Sequence, residues 1–182
     1  RVRSTIAPSY DTSISLILQA CWQVLLWRLT GKSEVIVGTL HDGRNYEELE
    51  SALGLFAKYL PIDCYLEENC KFIELLNKIS EARSSAFKWQ ESFSRELIKG
   101  KPLDSAFFPV CFDFDEQPTA YSSADLSFSI YKQYVCIDRF KVKLSCIRRD
   151  DALIAEFHYD ANLFQVEDIW RLAGQFQTLL ES

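Results

Sequence analysis

A helical segment that runs directly into a β-branched strand constrains the fold more than any other feature of this sequence. Apolar residues recur at helical spacing between Asp11 and Leu29. Ser13 or Thr12 can cap the start of this helix, and Gly31 ends it. The segment 34–40 is β-branched and almost continuously apolar, which is typical of a strand buried on both faces. Because both elements must bury apolar side chains, the pair predicts layered α/β packing.

The rest of the chain continues to intersperse helices and strands. The pattern predicts helices over 46–53, 72–98 and 165–180, strands over 56–65, 107–114, 126–131, 140–148 and 153–159, and a polar loop over 116–125. Pro61 favours an edge position for its strand. Asp150 and Asp151 predict a tight hairpin turn between the last two strands. The predicted fold class is therefore α/β, with a mixed sheet.

Composition excludes several classes of protein. The 182 residues carry a formal net charge of -6 and the pI is about 5.0, which argues against nucleic acid as a partner. No apolar run of about 18 residues is present, so the sequence predicts no membrane span. The first residues lack the apolar run of a signal peptide. Because the chain begins with Arg1 and contains no Met, we expect it to be part of a longer polypeptide.

The six cysteines predict neither a metal site nor a bound cofactor. No two of them form a CxxC motif, and the sequence has only two histidines. Cys21, Cys111 and Cys146 lie among apolar residues, which favours small buried side chains in a reducing compartment and hence a cytoplasmic protein. A disulfide among the six remains an open alternative at this point.

Five residues carry side chains with possible chemistry, and the two histidine sites among them each have a structural alternative. His41 could act as a general base or be a polar turn residue. His158 and Asp160 could form a dyad on one face of a strand or be an exposed pair near its end.

Arg44 is open to two interpretations, whereas Lys58 has one default interpretation. Arg44 could bind an anion or pair with Glu47 or Glu48. Lys58 lies among apolar residues and is expected to point its ammonium group to solvent. The residues alone thus predict an α/β domain without a convincing catalytic set.

Five separated blocks, taken in order, resemble the C-terminal half of a condensation domain of nonribosomal peptide synthetases. ILQACWQVLLWRLTGKSEVIVGTLHDGR is similar to the family's long helix, RLTG-like turn and VVGxPxxGR strand. ALGLFAKYLPI is similar to the IGxFxNTLPLR step, and FIELLNKISEARSSAFKWQESF to the helix ending in HQDxPF. FFPVCFDFDEQP resembles the PVFQVxFxxQN strand, and ALIAEFHYDANLFQVEDIWRLAGQFQTLLES the closing hairpin and helix. The resemblance covers nearly the whole chain.

The resemblance implies a fold, an activity and a set of partners. The fold is like that of chloramphenicol acetyltransferase, a two-layer αβ sandwich with helices on one face, and residues 1–182 would form the C-terminal one of two lobes. The activity is amide-bond formation between a donor thioester and an acceptor amine, both delivered on phosphopantetheine arms. The partners are carrier proteins, adjacent synthetase domains and an N-terminal lobe that carries the catalytic HHxxxDG motif. The last strands and the loop at 116–125 are the candidate for the segment that crosses to that lobe.

The motif residues of this chain are expected to line the substrate tunnel or to hold its wall, and some depart from the family pattern. The candidate positions are Gly38, His41, Arg44, Gly54, Phe56, Lys58 and Gln90. Lys58 replaces the family's Asn, and could neutralise an acidic substrate. The HQDxPF block has become Trp89-Gln90-Glu91-Ser92-Phe93, and Asp63 stands where the LPLR step has Arg. HHxxxDG is absent, so no residue of this chain is assigned as catalytic.

Other functions also fit the sequence. A cyclisation, epimerisation or ester-forming relative would share these blocks. The eroded motifs favour a second alternative, a non-catalytic lobe that serves as a docking platform for carrier proteins or neighbouring domains. A third is a binding domain that pairs with itself. In each case, an apolar contact face would need to be covered.

Overall fold

The computed structural model describes residues 13–44, 46–93, 108–117, 120–123, 125–132, 134 and 136–182. Within these ranges the helices are α1 (Ile14–Thr30), α2 (Phe72–Trp89) and α3 (Val166–Leu180). The strands are β1 (Glu34–His41), β2 (Lys58–Tyr65), β3 (Val110–Glu116), β4 (Tyr121–Ser123), β5 (Leu126–Phe128), β6 (Val142–Arg149) and β7 (Ala152–Tyr159). The helices and strands are interspersed along the chain, as the sequence predicts.

Five of the strands form one mixed sheet in the order β2-β1-β3-β6-β7. The outer pairs, β1–β2 and β6–β7, are antiparallel, whereas β3 is parallel to both of its neighbours. Strands β1 and β3 pair only over Gly38 with Cys111 and Thr39 with Phe112. Pro61 lies in the edge strand β2, where a missing backbone N–H costs little. The predicted mixed sheet is confirmed.

The three helices form a second layer on one face of the sheet. Helix α1 lies between α2 and α3 and packs on β1 and β6. The fully buried Trp22 of α1 makes edge-to-face contacts with Phe157 of β7 and Phe176 of α3, with ring centroids 5.9 and 6.2 Å apart. Aromatic pairs in this geometry add to the stabilisation from burial itself. The predicted placement of helices on one face is confirmed.

Both ends of α1 follow the sequence signals. The Ser13 hydroxyl accepts a hydrogen bond from the Leu16 backbone N–H, and Gly31 adopts a left-handed φ of 65°. Inside the layer, Gln23 Nε2 donates to the carbonyl oxygens of Val35 (3.3 Å) and Ile62 (3.0 Å). This side chain ties α1 to two neighbouring strands.

The opposite face of the sheet, called the open face below, carries the side chains of Tyr59, Cys111, Asp113 and Lys143. Tyr59, Phe108 and Cys111 form a small buried cluster there, separate from the main core under the helices. Strand alternation explains the division, since Phe112 and Leu144 on the same strands point into the main core. Within the described ranges, the helices all pack on the other face.

Two predictions for the first half of the chain are wrong. The segment 46–53 contains only a 3-10 turn at Glu47–Leu49, because its few apolar residues bury no helical face. Strand β1 is not buried on both faces, since Ile36 is 46% exposed. Helix α2 ends at Trp89, and residues 94–98 of the predicted helix lie outside the described residues.

The predicted polar loop at 116–125 is also wrong in part. Glu116 still belongs to β3, and β4 pairs antiparallel with β5 to make a separate two-stranded ribbon. The side chains of Leu126 and Phe128 on β5 are exposed. The role of segment 116–125 as part of a crossing to another lobe stays a prediction.

Candidate functional site

The turn that follows β1 is held together by Arg44. Its guanidinium pairs with the carboxylate of Asp42 and donates hydrogen bonds to the carbonyl oxygens of Ala52 and Gly54, each at 3.3 Å. It also lies 5.0 Å from the ring centroid of Phe56, a cation–π geometry. The alternative in which Arg44 holds the turn by pairing with Glu47 or Glu48 is wrong in its partner, which is Asp42. Arg44 joins Gly54 and Phe56 in one cluster, and its polar atoms are engaged within the chain.

The backbone approaches itself closely at Gly43 in this turn. Gly43 has a φ of 76°, and a Cβ there would lie 2.1 Å from the carbonyl oxygen of Phe56. A Cβ at Gly54 would meet the edge of the Phe56 ring at 3.1 Å. The two glycines thus allow the segment that connects β1 to β2 to close around Phe56.

His41, Lys58 and Gln90 form an adjoining cluster at the C-terminal end of α2. His41 and Lys58 are Cα partners across β1 and β2, so their side chains share a face. Lys58 Nζ donates to the backbone oxygen of Gln90 at 3.0 Å and lies 3.6 Å from Glu91 Oε1. Gln90 is the C-cap of α2 and is 1% exposed.

Lys58 therefore does not simply point to solvent, as the sequence led us to expect. A positive charge on the last carbonyl groups of a helix is favourable, because these groups carry the negative end of the helix dipole. Lys58, which stands where the condensation pattern has Asn, thus holds the end of α2 against β2. Its ammonium lies on the helix side of the sheet.

His41 is half-buried and is not a polar turn residue. Its ring lies 6.5 Å from that of Phe87, and Nε2 is buried with no hydrogen-bond partner among the described residues. Burial, followed by the positive charge of Arg83, lowers the pKa of His41 to about 4. The imidazole is neutral at pH 7, but it lies on the helix side.

The lowered pKa makes His41 a source of acid instability. The unfolded chain takes up a proton on His41 below pH 6.5, and the folded chain only near pH 4. The free energy of unfolding therefore keeps the full contribution of the neutral His41 above pH 6.5. That contribution is lost as the pH falls, by about 2 kcal/mol between pH 7 and 5. Urea unfolding at both pH values should show a smaller drop in stability for His41→Gln than for the parent chain. An unchanged drop would contradict this assignment.

Gly38 stands apart from the other candidate residues. A Cβ at this position would lie 2.6 Å from the Cβ and Cγ atoms of Phe108, so Gly38 lets Phe108 pack onto the open face. The structure thus brings six of the seven candidate positions into two adjoining clusters around the β1–β2 connection. Gly38 lies earlier in β1, where it is the Cα partner of Cys111 in β3.

A cavity of about 400 Å³ on the open face contains polar residues that the sequence did not single out. Lys143 Nζ is 2.9 Å from Asp113 Oδ2, and the lysine is 1% exposed. The rings of Tyr134 and Phe140 lie 5.3 and 5.5 Å from the ammonium. The cavity is lined by Leu40, Asp42, Ala57, Asp113, Phe114, Asp115, Gln117, Tyr134, Lys143, Ser145, Ile147 and His158. Alternating polar residues in the apolar strands β3 and β6 were the available signal.

His158 and Asp160 do not form a dyad. His158 Nε2 lies 3.4 Å from Glu156 Oε2, whereas the Asp160 carboxylate accepts hydrogen bonds from Asn162 beyond the strand end. His158 is the Cα partner of Lys143 and lines the cavity. Burial, and then the charge of Lys143, lower the pKa of His158. The histidine on the open face is therefore neutral at pH 7.

The cysteines behave as small buried side chains where this was predicted. Cys21, Cys111 and Cys146 are buried, and all six thiols are free. Burial raises the pKa of Cys21 to about 11 and that of Cys111 to about 12. Among the described residues, no cluster of three or more His, Cys, Asp or Glu side chains could hold a metal ion. None of the described helices is long and apolar enough to cross a membrane.

Curated relatives of this chain are large synthases. The chain is 30% identical over 185 residues to a component of the linear gramicidin synthase of Brevibacillus parabrevis, and 28% identical to gramicidin S synthase 2 of Brevibacillus brevis. Each alignment covers 97% of this chain but only 2% and 4%, respectively, of the synthase polypeptide. The chain thus spans a very small part of these relatives.

Solved structures with the same fold include condensation domains. A four-domain nonribosomal peptide synthetase bound to AMP and glycine matches with a TM-score of 0.81 at 17% identity, over 96% of this chain and 15% of that one. The first condensation domain of the calcium-dependent antibiotic synthetase, in complex with a substrate analogue, matches with a TM-score of 0.70 at 18% identity, over 91% and 37%. These matches confirm the predicted chloramphenicol acetyltransferase-like α/β fold. The family model described as "Condensation domain" matches residues 2–182, and the chain therefore belongs to the condensation domain family.

Proposed function

We propose that this chain is the C-terminal lobe of an amide-forming condensation domain in a nonribosomal peptide synthetase. In the reaction, an acceptor amine attacks the carbonyl carbon of a donor thioester, the C–N bond forms, and the C–S bond breaks to release a thiol. The match of the condensation family model to residues 2–182 carries this proposal. The names of the relatives, which are peptide synthases, support it.

The open face gives the proposal a physical location. It carries a cavity of about 400 Å³, a volume within the usual range for small-molecule sites. The helix side holds the main core, and its cavities, of about 660 and 630 Å³, lie between β2 and α2 and among the helices. We therefore infer that the open face is the tunnel wall, and that the clusters around Arg44 and Lys58 hold the shape of this wall from behind.

The catalytic base is proposed to lie on another lobe. The sequence has no HHxxxDG motif, and His41 lies on the opposite side of the sheet from the cavity. A general base must come within hydrogen-bond reach of the amine proton. An N-terminal lobe facing the open face would supply it, and the β4–β5 ribbon would cross to that lobe.

Phosphopantetheine enters this proposal as part of the two substrates. Carrier proteins would bring the donor and acceptor on such arms from opposite sides, and adjacent synthetase domains would hold them close. We expect a lobe of this kind to work in the cytoplasm. The docking platform suggested by the eroded motifs is not favoured, because the relatives are synthases.

The experiment that tests this proposal uses the complete condensation domain to which the chain belongs, with its two carrier proteins loaded separately. Mass spectrometry should detect the joined product on the acceptor carrier. Replacing the second histidine of HHxxxDG with alanine should reduce product formation by a factor of about 100 or more, the usual scale for loss of a general base.

A matched control separates chemistry from folding. The chain without its partner lobe should give no product with the same loaded carriers, although it should be folded by circular dichroism. If the complete domain gives no amide with any aminoacyl carrier tested, the proposed function is wrong. If this chain alone forms the amide, the assignment of the base to another lobe is wrong.

A further inference from the structure

Arg83 of α2 is a half-buried cation without a carboxylate partner. Its guanidinium donates a hydrogen bond of 3.2 Å to the hydroxyl of Ser15 in α1. No Asp or Glu among the residues that the structure describes forms an ion pair with it. Burial lowers the pKa of Arg83, and no described acidic group opposes this effect. A guanidinium has several N–H donors and stays charged at pH 7, so Arg83 has donors left for a further acceptor.

The positive end of α1 lies next to this guanidinium. Ser15 belongs to the first turn of α1, and that turn contains no acidic residue. The first backbone N–H groups of a helix carry the positive end of its dipole, so a neighbouring anion is favourable and a neighbouring cation is not. The charge of Arg83 therefore adds to the positive potential of the helix end. An anion between the two would be attracted by both.

Two neighbouring side chains carry buried polar atoms without partners. His41 Nε2 is buried and makes no hydrogen bond with any described residue, and the charge of Arg83 helps to lower the pKa of this histidine. Gln19 follows Ser15 by one turn on the same face of α1 and is 0% exposed. One side of its amide bonds the Thr39 hydroxyl at 2.9 Å, and the atom on the other side has no partner within the described ranges.

Both unpaired groups can act as hydrogen-bond donors. A neutral imidazole carries its proton on either nitrogen, so His41 Nε2 can donate. The Thr39 hydroxyl can donate or accept, so a half-turn of the Gln19 amide keeps their bond and leaves the NH2 group unpaired in place of the oxygen. Thr39 and His41 are two residues apart on β1 and share the face toward α1. With Arg83, the donors thus come from α1, α2 and β1.

We propose that Arg83, His41 and the first turn of α1 form a binding site for a phosphate group. A phosphate fits this arrangement better than a planar carboxylate, because its tetrahedral oxygens accept hydrogen bonds from several directions. Arginine and helix N-termini are also frequent phosphate ligands in proteins. Arg83 remains partly exposed, which gives the ligand access from solvent. The site lies on the helix side of the sheet and does not depend on the proposed function.

The test titrates the 182-residue chain with inorganic phosphate at pH 7 and constant ionic strength, and follows binding by NMR. We expect a dissociation constant of about 1 mM, with shifts in the signals of the Ser15 amide and the His41 ring. Acetate should bind at least about fivefold more weakly, a difference of about 1 kcal/mol. Phosphate should also raise the urea midpoint of unfolding, because a ligand that binds only the folded chain stabilises it.

Two variants decide whether the Arg83 guanidinium is responsible. Arg83→Gln keeps a donor for Ser15 and removes the charge, so phosphate should bind about tenfold more weakly, which corresponds to about 1.4 kcal/mol. Because no described carboxylate loses its partner, the urea midpoint of this variant without phosphate should be no lower than that of the parent. Arg28→Gln makes the same change at an exposed position in the last turn of α1 and should leave the phosphate affinity unchanged.

Several results would overturn the inference. These are absence of phosphate binding up to about 10 mM, equal phosphate affinities of the parent and Arg83→Gln chains, and an affinity for acetate equal to that for phosphate. Shifts that sodium chloride also produces at the same ionic strength would overturn it as well.

A second titration, with phosphopantetheine, identifies the source of the phosphate group once the site is established. Phosphopantetheine is the phosphate ester that the proposed function brings to this chain. Tighter binding of phosphopantetheine than of inorganic phosphate would assign the site to this ester, and equal affinities would assign it to free phosphate. Either result upholds the site, and a complete domain that forms no amide would leave it standing.

Discussion

Lys143→Ala should lower the free energy of unfolding by about 3–5 kcal/mol, the usual cost of breaking a buried ion pair from one side. Lys143 is 1% exposed, and its ammonium is 2.9 Å from Asp113, whose side chain is 10% exposed. Without the lysine, the carboxylate stays in the wall of the cavity with its charged partner removed. Urea unfolding at pH 7 measures the effect.

Two controls show whether the loss comes from the unpaired charge. The double variant Lys143→Met with Asp113→Leu replaces the pair with apolar side chains and should recover most of the stability, since such replacements are often neutral. Lys141→Ala removes an exposed lysine next to the same strand and should cost less than about 0.5 kcal/mol. A loss below about 1 kcal/mol in Lys143→Ala would show that the pair is not effectively buried.

Gly43→Ala should destabilise the chain by about 3 kcal/mol, because two separate costs add at this position. The left-handed φ of 76° costs roughly 1–2 kcal/mol for a residue with a Cβ. The new Cβ would also lie 2.1 Å from the backbone oxygen of Phe56, and relieving such an overlap costs about 1–3 kcal/mol more. Urea unfolding is again the measurement.

Gly31→Ala provides a matched control for Gly43→Ala. Gly31 has a similar φ of 65°, but a Cβ added there would meet no heavy atom within 4 Å. We expect this change to cost only the conformational part, about 1 kcal/mol. Equal effects of the two changes would mean that the contact with Phe56 does not limit the turn.

The sequence predicted the elements whose signals are local. Apolar spacing and the caps at Ser13 and Gly31 predicted α1 almost to the residue, because helix ends are set by nearby groups. The turn at Asp150 and Asp151 was predicted as well, because a tight turn also depends on the residues within it. The segment 46–53 failed, since its helical spacing has no surface on which to pack and only a 3-10 turn forms.

The candidate site was less predictable than the fold. Arg44 has acidic residues on both sides in the sequence, and only the path of the turn decides that Asp42 is its partner. Lys58 reaches a helix end that lies more than thirty residues further along the chain. Asp113 and Lys143 are likewise far apart in sequence, and the β3–β6 register brings them together. Such pairs depend on tertiary structure, which the local pattern does not contain.

The short pairing between β1 and β3 has a consequence for how the sheet assembles. On one side of it β1 and β2 form an antiparallel pair, and on the other β6 and β7 form a hairpin closed by a two-residue turn. The join between these parts needs roughly seventy residues of chain to close into a loop, and closure entropy rises with the logarithm of loop length. Two residue pairs return little backbone hydrogen bonding for that cost. The helix layer, in which α1 contacts both β1 and β6, therefore adds a second connection between the two parts of the sheet.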